Sequence, residues 1–544
     1  MCKSCEVQQV VVAGQDASTR HHTTTVLPQV LSCLAASLGT LSAGAVNGWS
    51  AGALPSLDAD PHIQMGTSNN AWVVGIVALG AIVGSTVAGR VTDVLGRRKT
   101  ILASCPFLFA GWIIIALASN LGLVLTGRAL CGLSTAFLFS AVQVYCSEIP
   151  EGGIRGRLGA VPSLFVTLGV VLTYVAGACF SWRTSCYICA TPCVLTFVAI
   201  IFVPESPHWL LLRGKRDDAE VALRRLRGPN YDLTKEITEM EAKIVSVGRK
   251  HELGELWRPR TRRPFLIALF NMTLQQISGG NILIMYTGNI FISAGVANHN
   301  MAIVYTGLVQ IAGTLLSVIL MDHAGRRPMI VISTAVMGIS IIMLGIYFYM
   351  INVVGDLWPG WVPLTTVLVA VFGYCLGCRT IPFLLSAELF NTTIRSTANN
   401  VTFFYNRILN FAVIQTFPYF EESAGAYTVF FVLGGLCLAC CGISLICVPE
   451  TKGKTLEQLQ EYFEKKSTST PECKVNDKKI QEPTISYNDV TSKTSKSLIA
   501  PSSCTLVNEN VTNTSRGLSS TCTKTIVHSE KGKQDESSVE STKL

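Results

Sequence analysis

Long apolar stretches separated by short polar segments run from about residue 30 to residue 448. A helix needs about 20 mostly apolar residues to cross the hydrocarbon core of a bilayer. By that measure the pattern predicts twelve membrane spans, which begin near Val30, Ala71, Thr100, Leu121, Leu158, Thr184, Phe265, Met301, Met329, Val362, Asn400 and Tyr427. A longer polar segment lies between the sixth span and the seventh, so the spans form two groups of six.

The predicted fold class is an all-α polytopic membrane protein made of five segments. They are a cytoplasmic N-terminal tail over residues 1–29, a six-helix bundle over 30–203, a central cytoplasmic helical loop over 204–264, a second six-helix bundle over 265–448 and a cytoplasmic tail over 449–544.

The two longer polar segments are expected to differ. Residues 219–226 of the central loop set apolar residues beside arginines, a pattern typical of a short amphipathic helix. After about Glu464 the tail is rich in Ser, Thr and Lys and poor in aromatic residues, which is typical of disorder.

Composition agrees with the membrane interpretation. Hydrophobic residues make up 49% of the chain and charged residues 14%, against about 25% charged in soluble domains. The net charge of +8 does not indicate a nucleic-acid partner, because Lys and Arg lie in loops between apolar runs. Most of the 19 cysteines lie inside apolar segments, where they are expected to pack as small hydrophobic residues.

The positions of the positive charges predict the orientation of the spans, because cytoplasmic loops carry an excess of Lys and Arg. One set of loops holds Arg90, Arg97, Arg98, Lys99, Arg155, Arg157, Arg326, Arg327 and Arg395, whereas the opposite loops offer little beyond Arg183. Both termini and the central loop are therefore expected in the cytoplasm. The sequons at Asn391, Asn510 and Asn513 fall on that side, so no glycan is expected.

Two charged loops repeat between the halves. Asp93-Val94-Leu95-Gly96-Arg97-Arg98 follows the second span, and Asp322-His323-Ala324-Gly325-Arg326-Arg327 follows the eighth. Glu148 precedes Arg155 by seven residues, and Glu388 precedes Arg395 by the same seven. Positive-inside topology alone does not require the same spacing twice. The repeats predict carboxylate–guanidinium pairs that form in one conformation and separate in another.

These loops, together with further motifs, resemble the sugar porter family of the major facilitator superfamily. The motifs are Pro204-Glu205-Ser206-Pro207, Gln275-Gln276-x-Ser278-Gly279-x-Asn281 and Pro449-Glu450-Thr451-Lys452-Gly453, and the resemblance covers about residues 30–460. Gly48-Trp49-Ser50 and Ala53-Leu54-Pro55-Ser56-Leu57 look like arthropod hexose and trehalose facilitators. The resemblance implies the major facilitator fold, with two six-helix bundles around a central cavity and alternating access.

The resemblance also implies a sugar site, and the chemistry of the residues suits it. Side-chain amides both donate and accept hydrogen bonds, as sugar hydroxyls do, and an aromatic face can stack on the ring. The alternative role for such amides is hydrogen bonding between helices. The candidate substrate-binding residues are Gln275, Gln276, Asn281, Gln310, Phe383, Asn406, Asn410 and Ser163. The candidate cytoplasmic latch comprises Asp93, Arg97, Arg98, Glu148, Arg155, Asp322, Arg326, Arg327, Glu388 and Arg395. We expect the latch residues to pair across helix ends while the protein faces outward.

Several family positions have changed. Ser163 and Phe383 stand where the family carries Gln and Trp, and Gln310 stands where it usually carries Asn. Arg379 and Arg407 lie within the tenth and eleventh spans, where an uncompensated Arg costs at least about 2.5–3.5 kcal/mol. They are interpreted either as cavity charges for a different, anionic solute or as side chains that snorkel to the helix ends, and we favour snorkelling. Arg128 in the fourth span is expected to be held by polar neighbours.

Energy coupling can be argued from titratable groups. A proton symporter needs Asp, Glu or His in its translocation path. Every histidine lies in a predicted loop or tail, Glu148 and Glu388 lie at cytoplasmic ends, and the position near Ser50, where proton-coupled relatives carry Asp, is uncharged. Passive transport is therefore predicted. Gly453-Lys454-Thr455 lacks the earlier Gly of a P-loop, since position 448 is Val, so ATP-driven pumping is not predicted.

The leading functional hypothesis is a facilitative transporter for a hexose or a trehalose-like disaccharide in the plasma membrane. It is not expected to be an enzyme or to need a cofactor or metal, and its partners are the sugar and the bilayer. The sequence leaves the oligomeric state open. Two alternatives stay open: a nutrient sensor that does not transport, and a transporter for another, anionic solute selected by Arg379 or Arg407.

Overall fold

The computed structural model describes residues 25–63, 65–229, 231–247, 253–355, 358–390, 394–452 and residue 458. The expectations for the N-terminal tail up to residue 24, for Asn391, Asn510 and Asn513 and for the disordered tail lie outside these residues. The side chains of two candidate latch residues, Asp322 and Arg395, are also outside the described set.

The first half consists of six long helices, as the apolar pattern predicts. They are α1 (Leu27–Asp58), α2 (Thr67–Leu95), α3 (Arg97–Ala116), α4 (Leu121–Glu148), α5 (Arg155–Cys179) and α6 (Trp182–Ile201). The central segment then forms three shorter helices, α7 (Pro207–Leu212), α8 (Arg216–Arg227) and α9 (Leu233–Val247). Helix α8 contains the stretch in which the sequence predicts an amphipathic helix.

The second half has the same number of spans, two of them interrupted. The seventh span is divided into α10 (Pro259–Ile277), α11 (Gly280–Met285) and α12 (Thr287–Ser293). The eighth and ninth spans are α13 (His299–Ala324) and α14 (Arg326–Tyr349), and the tenth combines α15 (Trp361–Gly373), a π-helical turn (Tyr374–Cys378) and α16 (Ile381–Leu389). The last two are α17 (Arg395–Ala424) and α18 (Ala426–Cys447).

Ten helical segments of the described chain are long and apolar enough to cross a membrane. The interrupted seventh span and the polar helix α17 complete the two sets of six. The predicted all-α polytopic fold class is confirmed.

Small residues let the helices of the first half pack closely. Helix α1 packs along α5, where a Cβ built on Gly44 would lie 2.0 Å from the carbonyl oxygen of Val166. On the facing helix, a Cβ on Gly169 would lie 2.0 Å from the carbonyl oxygen of Leu41. Without a hydrophobic drive between helices in lipid, such close backbone contact supplies the packing energy.

The two halves meet through several helix pairs, among them α2 with α17, α5 with α13, and α1 with α12. Near the C-terminal end of α1, a Cβ built on Gly288 would lie 2.0 Å from the carbonyl oxygen of Ala51. Near the start of α2, the hydroxyl oxygens of Ser68 and Tyr419 are 3.0 Å apart. These contacts close one end of the interface between the halves.

The described cysteines inside the spans are free, and most are buried, among them Cys131, Cys189 and Cys378. Cys179 and Cys447, at the ends of α5 and α18, are exposed. The buried thiols pack as the sequence analysis expects.

Candidate functional site

The seventh span is interrupted beside the candidate amides. Helix α10 ends at Ile277, and Gly279 adopts the left-handed backbone conformation with φ of +83° before α11 begins. A side chain is strained in that conformation, so glycine permits the break. The hydroxyl of Ser278 donates to the carbonyl of Gln275 at 2.9 Å, which satisfies one carbonyl at the end of α10. Candidate amides therefore lie on both sides of the break.

Gln275 connects three spans. Its Oε1 accepts a hydrogen bond from Asn406 Nδ2 of α17 at 2.9 Å. Its Nε2 donates to the backbone carbonyl of Arg379, beside the π-helical turn of the tenth span, at 2.7 Å. The Gln275 side chain is only 3% exposed, so both of its polar ends are used within the bundle.

Gln276 extends this arrangement into a network. Its Nε2 lies 3.4 Å from Gln275 Oε1, and its Oε1 accepts from Asn281 Nδ2 at 2.8 Å and from Asn410 Nδ2 at 2.9 Å. The Tyr374 hydroxyl donates to Asn281 Oδ1 at 3.0 Å. The structure thus brings five candidate amides together. Sequence reasoning missed Tyr374, which lies in the π-helical turn of the tenth span.

We call the side chains of Gln275, Gln276, Asn281, Asn406 and Asn410 the amide network. Gln310 of α13 lies outside it and links the two halves instead. Its Nε2 lies 3.3 Å from the hydroxyl of Tyr174 in α5, and that hydroxyl donates to the carbonyl of Ile284 at 2.7 Å. Gln310 Oε1 is buried without a partner among the described residues. Leaving a buried acceptor unpaired costs free energy. A hydrogen bond from a ligand hydroxyl to this oxygen would therefore stabilise the bound ligand.

A cavity between the halves adjoins the amide network. Asn410 belongs to both, and the polar lining continues with Asn47, Thr135 and Arg407. Apolar walls come from residues of α2, α4 and α5 and from Met285. The combination of apolar walls with a few convergent polar groups is typical of a small-molecule site.

Arg407 lies in the middle of α17 and lines this cavity. Its guanidinium carbon is 5.8 Å from the ring centroid of Phe139 in the other half, a cation–π distance. The favoured interpretation, that Arg407 snorkels from a helix end, is therefore wrong. A mid-helix position leaves no short route to the interface, whereas the cavity gives the charge a polar surrounding and an aromatic face.

The remaining candidates have other neighbours. Phe383 packs edge-on against Phe403 of α17, with ring centroids 5.2 Å apart. The carbonyl of Ser163 accepts from Thr167, whose hydroxyl is 3.2 Å from that of Thr314 in the other half. These partners lie outside the amide network. Arg379 contributes its backbone carbonyl to Gln275, while its side chain is half-buried, with Nη1 3.9 Å from Cys375 Sγ.

Arg128 is fully buried and held by polar neighbours, as expected. Its guanidinium donates to the carbonyls of Val73 at 3.1 Å and Val46 at 2.8 Å and to the hydroxyl of Ser50 at 2.7 Å. The Trp49 ring lies 5.1 Å from its guanidinium carbon. Arg128 therefore holds α1, α2 and α4 together through neutral acceptors.

The candidate latch of the first half is centred on Arg97. Arg97 forms a two-pronged pair with Glu148, with N–O distances of 2.9 and 3.0 Å, and a second contact with Asp93 at 3.2 Å. Glu148 also accepts from the Ser206 hydroxyl at 2.5 Å. Glu205 accepts from the backbone N–H of Arg98 at 2.9 Å. One cluster thus joins the start of α3, the end of α4 and the motif that follows α6.

The second half repeats this cluster. Arg326 pairs with Glu388 at 3.1 Å, and Glu388 accepts from the Thr451 hydroxyl at 2.5 Å. Glu450 accepts from the backbone N–H groups of Arg326 and Arg327, each at 3.0 Å. Glu205 and Glu450 therefore occupy equivalent positions, a third repeat that sequence reasoning missed although both Pro-Glu-Ser/Thr motifs were visible.

Three candidate latch arginines use backbone partners. Arg155 reaches the carbonyl of Pro150 at 3.4 Å, Arg98 the carbonyls at the end of α6, and Arg327 the carbonyl of Leu445. The described latch pairs lie within each half, between neighbouring helix ends. We call the end of the bundle that holds both clusters the charged face.

The surroundings of Glu450 lower the pKa of its carboxyl. Burial alone would raise the pKa of its carboxyl, but the backbone N–H groups of Lys452, Arg326 and Arg327 outweigh it and bring the pKa below the usual 4.5. The carboxylate is the form that caps the start of α14, since an anion is stabilised by the N–H groups there.

Two six-helix halves around a cavity with a buried amide network define a polytopic membrane transporter of the major facilitator class. The family model described as "Sugar (and other) transporter" matches residues 31–463. The chain belongs to this family of sugar transporters. It is a transporter and not an enzyme, as the sequence predicts.

Relatives and solved structures agree with that family. A facilitated trehalose transporter of Apis mellifera ligustica is 31% identical over 80% of this chain and 88% of the relative. One from Culex quinquefasciatus is 33% identical over 79% of this chain and 85% of the relative. In fold, the chain is similar to the inward open xylose transporter XylE of E. coli, with a TM-score of 0.68 and 22% identity over 79% of this chain and 98% of that one.

Proposed function

We propose that the chain is a facilitative uniporter that moves a hexose or a trehalose-like disaccharide across the plasma membrane by alternating access. The observation that carries the proposal is the amide network, which collects donors and acceptors from the seventh and eleventh spans beside the central cavity. A sugar presents hydroxyls that donate and accept, and amides match both roles without adding charge.

Gln310 Oε1, which has no partner among the described residues, and the Tyr374 hydroxyl support the same substrate class. Gln310 Oε1 can accept from a sugar hydroxyl, and Tyr374 adds a hydroxyl and a ring beside Asn281. Two of the relatives are named as facilitated trehalose transporters, which favours a disaccharide of that type. The proposed substrate-binding set is therefore the amide network with Gln310 and Tyr374.

Uniport is supported by the partners of Arg128. They are two carbonyls and the Ser50 hydroxyl, none of which exchanges protons near neutral pH. Within the described spans, acidic side chains such as Glu148, Glu388 and Glu421 lie in the last turns of helices. A proton-coupled cycle requires a carrier group along the path.

The charged face is proposed to be cytoplasmic. It gathers Arg97, Arg98, Lys99, Arg326 and Arg327, and positive charge accumulates on the cytoplasmic side of membrane proteins.

The direct test is uptake of labelled glucose and trehalose into oocytes that express the chain, at two external pH values, with surface expression measured. Saturable uptake that is independent of pH is the expected result. Uptake that rises with external acidity would replace uniport by proton coupling. Absence of uptake of both sugars despite surface delivery would favour the non-transporting sensor.

Arg407 supports a second candidate function, transport of an anionic solute. Its guanidinium lines the cavity, and no acidic partner is present among the described residues. A carboxylate or phosphate on the solute would provide one. The change R407Q separates the candidates when uptake of neutral and anionic solutes is compared. Loss of anion uptake alone in R407Q supports the second candidate. Sugar uptake that survives in R407Q, without any anion uptake in the wild type, contradicts it.

A further inference from the structure

A second pocket lies at the charged face, away from the sugar cavity. It is formed where the start of α3, the segment after α6 and helices α7 and α8 meet. Four cationic side chains line it, Arg98, Lys99, Lys215 and Arg225, against two carboxylates, Glu205 and Asp218. The lining therefore carries an excess of two positive charges. We call these four cations and the space between them the basic pocket.

Three of the four cations in the basic pocket have no carboxylate partner in the described part of the chain. Arg98 donates to the backbone carbonyls of Ile200 at 3.1 Å and Ile201 at 2.7 Å, which fix its position without neutralising it. Lys99 and Arg225 are exposed, and neither has an ion pair in the described part of the chain. These three cations thus remain available to an anion.

The two carboxylates do not close the pocket. Glu205 Oε1 is used by the backbone N–H groups of Arg98 at 2.9 Å and Ser206 at 3.0 Å. Asp218 lies 3.9 Å from Lys215, the limit of an ion pair, and both side chains are more than half exposed. Exposed pairs of this kind contribute little and are easily replaced by a stronger anion.

Exposed apolar residues lie in and near the pocket. Val221, one turn before Arg225 on α8, is 62% exposed, although Ala219 and Leu223 on the same helix are fully buried. Phe202, two residues before the lining residue Pro204, is 75% exposed. An amphipathic helix with an exposed apolar residue beside cations is typical of the interface between headgroups and acyl chains.

We propose that the basic pocket binds the phosphomonoester headgroup of a phosphoinositide lipid. A phosphomonoester carries about −1.5 to −2 charges at pH 7, which matches the excess of two positive charges. The exposed apolar residues in and near the pocket, Val221 and Phe202, point to the lipid, rather than a free phosphate compound, as the occupant. Basic pockets beside the spans on the cytoplasmic side are where such headgroups bind, so the inference rests on the proposed orientation.

Binding there would join α8 to the start of α3. Arg225 belongs to α8, while Arg98 and Lys99 directly follow the latch residue Arg97. A bound headgroup would therefore stabilise the latch cluster of the first half. The lipid is expected to change how often the transporter cycles without touching the sugar site.

The test uses the full chain in nanodiscs and two matched double variants. K99Q/R225Q removes two cations of the basic pocket. R224Q/K235Q removes two exposed cations outside it, because Arg224 pairs with Glu220 on another side of α8 and Lys235 lies on α9. Retention of phosphatidylinositol 4-phosphate and of phosphatidylinositol is measured by native mass spectrometry, with thermal unfolding as a check of folding.

We expect preferential retention of the 4-phosphate lipid by the wild type and the control, and a loss of about tenfold or more in K99Q/R225Q. Equal retention by both double variants, or equal retention of the two lipids by the wild type, would overturn the proposal. Full displacement by a water-soluble inositol phosphate would keep the anion chemistry but overturn the lipid as its source. Because binding is measured without sugar, the result is independent of whether the chain transports one.

Discussion

At the scale of single residues, the amide network shows how neutral side chains can serve both the fold and a ligand. Its hydrogen bonds from Asn406 and Asn410 join α17 to α10, as the alternative interpretation of these amides expects. The same bonds hold the amides beside the cavity in fixed orientations. Helix packing and sugar binding are therefore compatible roles, because an amide that is held in place presents its remaining donors and acceptors at defined positions.

Q275L and Q276L are predicted to lower sugar uptake while surface expression is preserved. Q275L leaves Asn406 without its partner, and Q276L does the same to Asn281. Each change also removes polar groups that could bind the sugar. Each buried polar group left unpaired costs about 1–3 kcal/mol. Uptake should fall roughly 5- to 150-fold. T126V is the control, since the hydroxyl of Thr126 is exposed and donates to Gly122 within its own helix. Unchanged uptake in both Gln variants would mean that the site lies elsewhere.

E450Q is predicted to destabilise the protein in a way that depends on pH. The pKa of Glu450 is lower in the folded state than its usual 4.5, so its carboxylate stabilises the fold above about pH 4.5, and that contribution disappears as the pH falls through the folded-state pKa. The melting temperature of E450Q should lie below that of the wild type at pH 7, and the difference should shrink on acidification below pH 4.5. A difference that grew in acid would contradict the capping role.

At the scale of helices, the two latch clusters stabilise corresponding ends of each half. Both α3 and α14 begin after a glycine with positive φ, Gly96 at +98° and Gly325 at +91°. In each half an Arg on the first turn meets a Glu at the end of another helix, and a second Glu caps the turn itself. The same motif spacing therefore produces the same local structure twice.

R97L and R326L are predicted to reduce cycling by disfavouring the state described by this structure, which contains both pairs. Each change leaves a carboxylate, Glu148 or Glu388, without its guanidinium. Breaking a buried pair such as Arg97–Glu148 costs about 3–5 kcal/mol in the state that contains it, and the more exposed Arg326–Glu388 pair should cost less. The measurements are the rate of sugar exchange and the accessibility of cavity cysteines to impermeant reagents.

The control for the latch variants is R90L, because Arg90 is exposed near the end of α2 and outside both clusters. We expect wild-type exchange in R90L. Wild-type exchange together with wild-type cysteine accessibility in R97L and R326L would argue against the latch.

At the scale of the whole molecule, the interface between the halves decides what the transporter can do. The halves are in close contact where α12 meets α1, with no room for a Cβ on Gly288. Arg407 and Phe139 face each other across the same interface at the cavity. Because alternating access requires the halves to separate at one end while they meet at the other, contacts of this kind exist in only one of the two states.

G288A is predicted to slow transport by disfavouring the state described by this structure. Overpacking against a backbone carbonyl costs about 1–3 kcal/mol, and a cost confined to one state shifts the balance of states roughly 5- to 150-fold. Uptake kinetics and surface expression are the measurements. G435A is the matched control, since a Cβ at Gly435 in α18 meets nothing within 4 Å. Equal uptake by G288A and G435A would show that this contact is not part of the cycle.

The sequence alone determined the twelve spans, their division into two sets of six, the repeated loops and the identity of the polar residues within apolar helices. Those features follow from local rules: apolar length gives a span, and equal spacing gives equal turns. Only the tertiary structure decided that Gln276 lies between Asn281 and Asn410, that Tyr374 joins them and that Glu205 and Glu450 cap equivalent helices.

Arg407 shows why the rest could not be predicted. Its position in α17 follows from the sequence, but whether it faces lipid, a neighbour or a cavity depends on how non-adjacent helices pack. Helical periodicity defines which residues share one face of a helix, and it carries no information about what that face meets. Contacts between distant spans are set by close packing of the whole bundle, so they were decided only in the assembled fold.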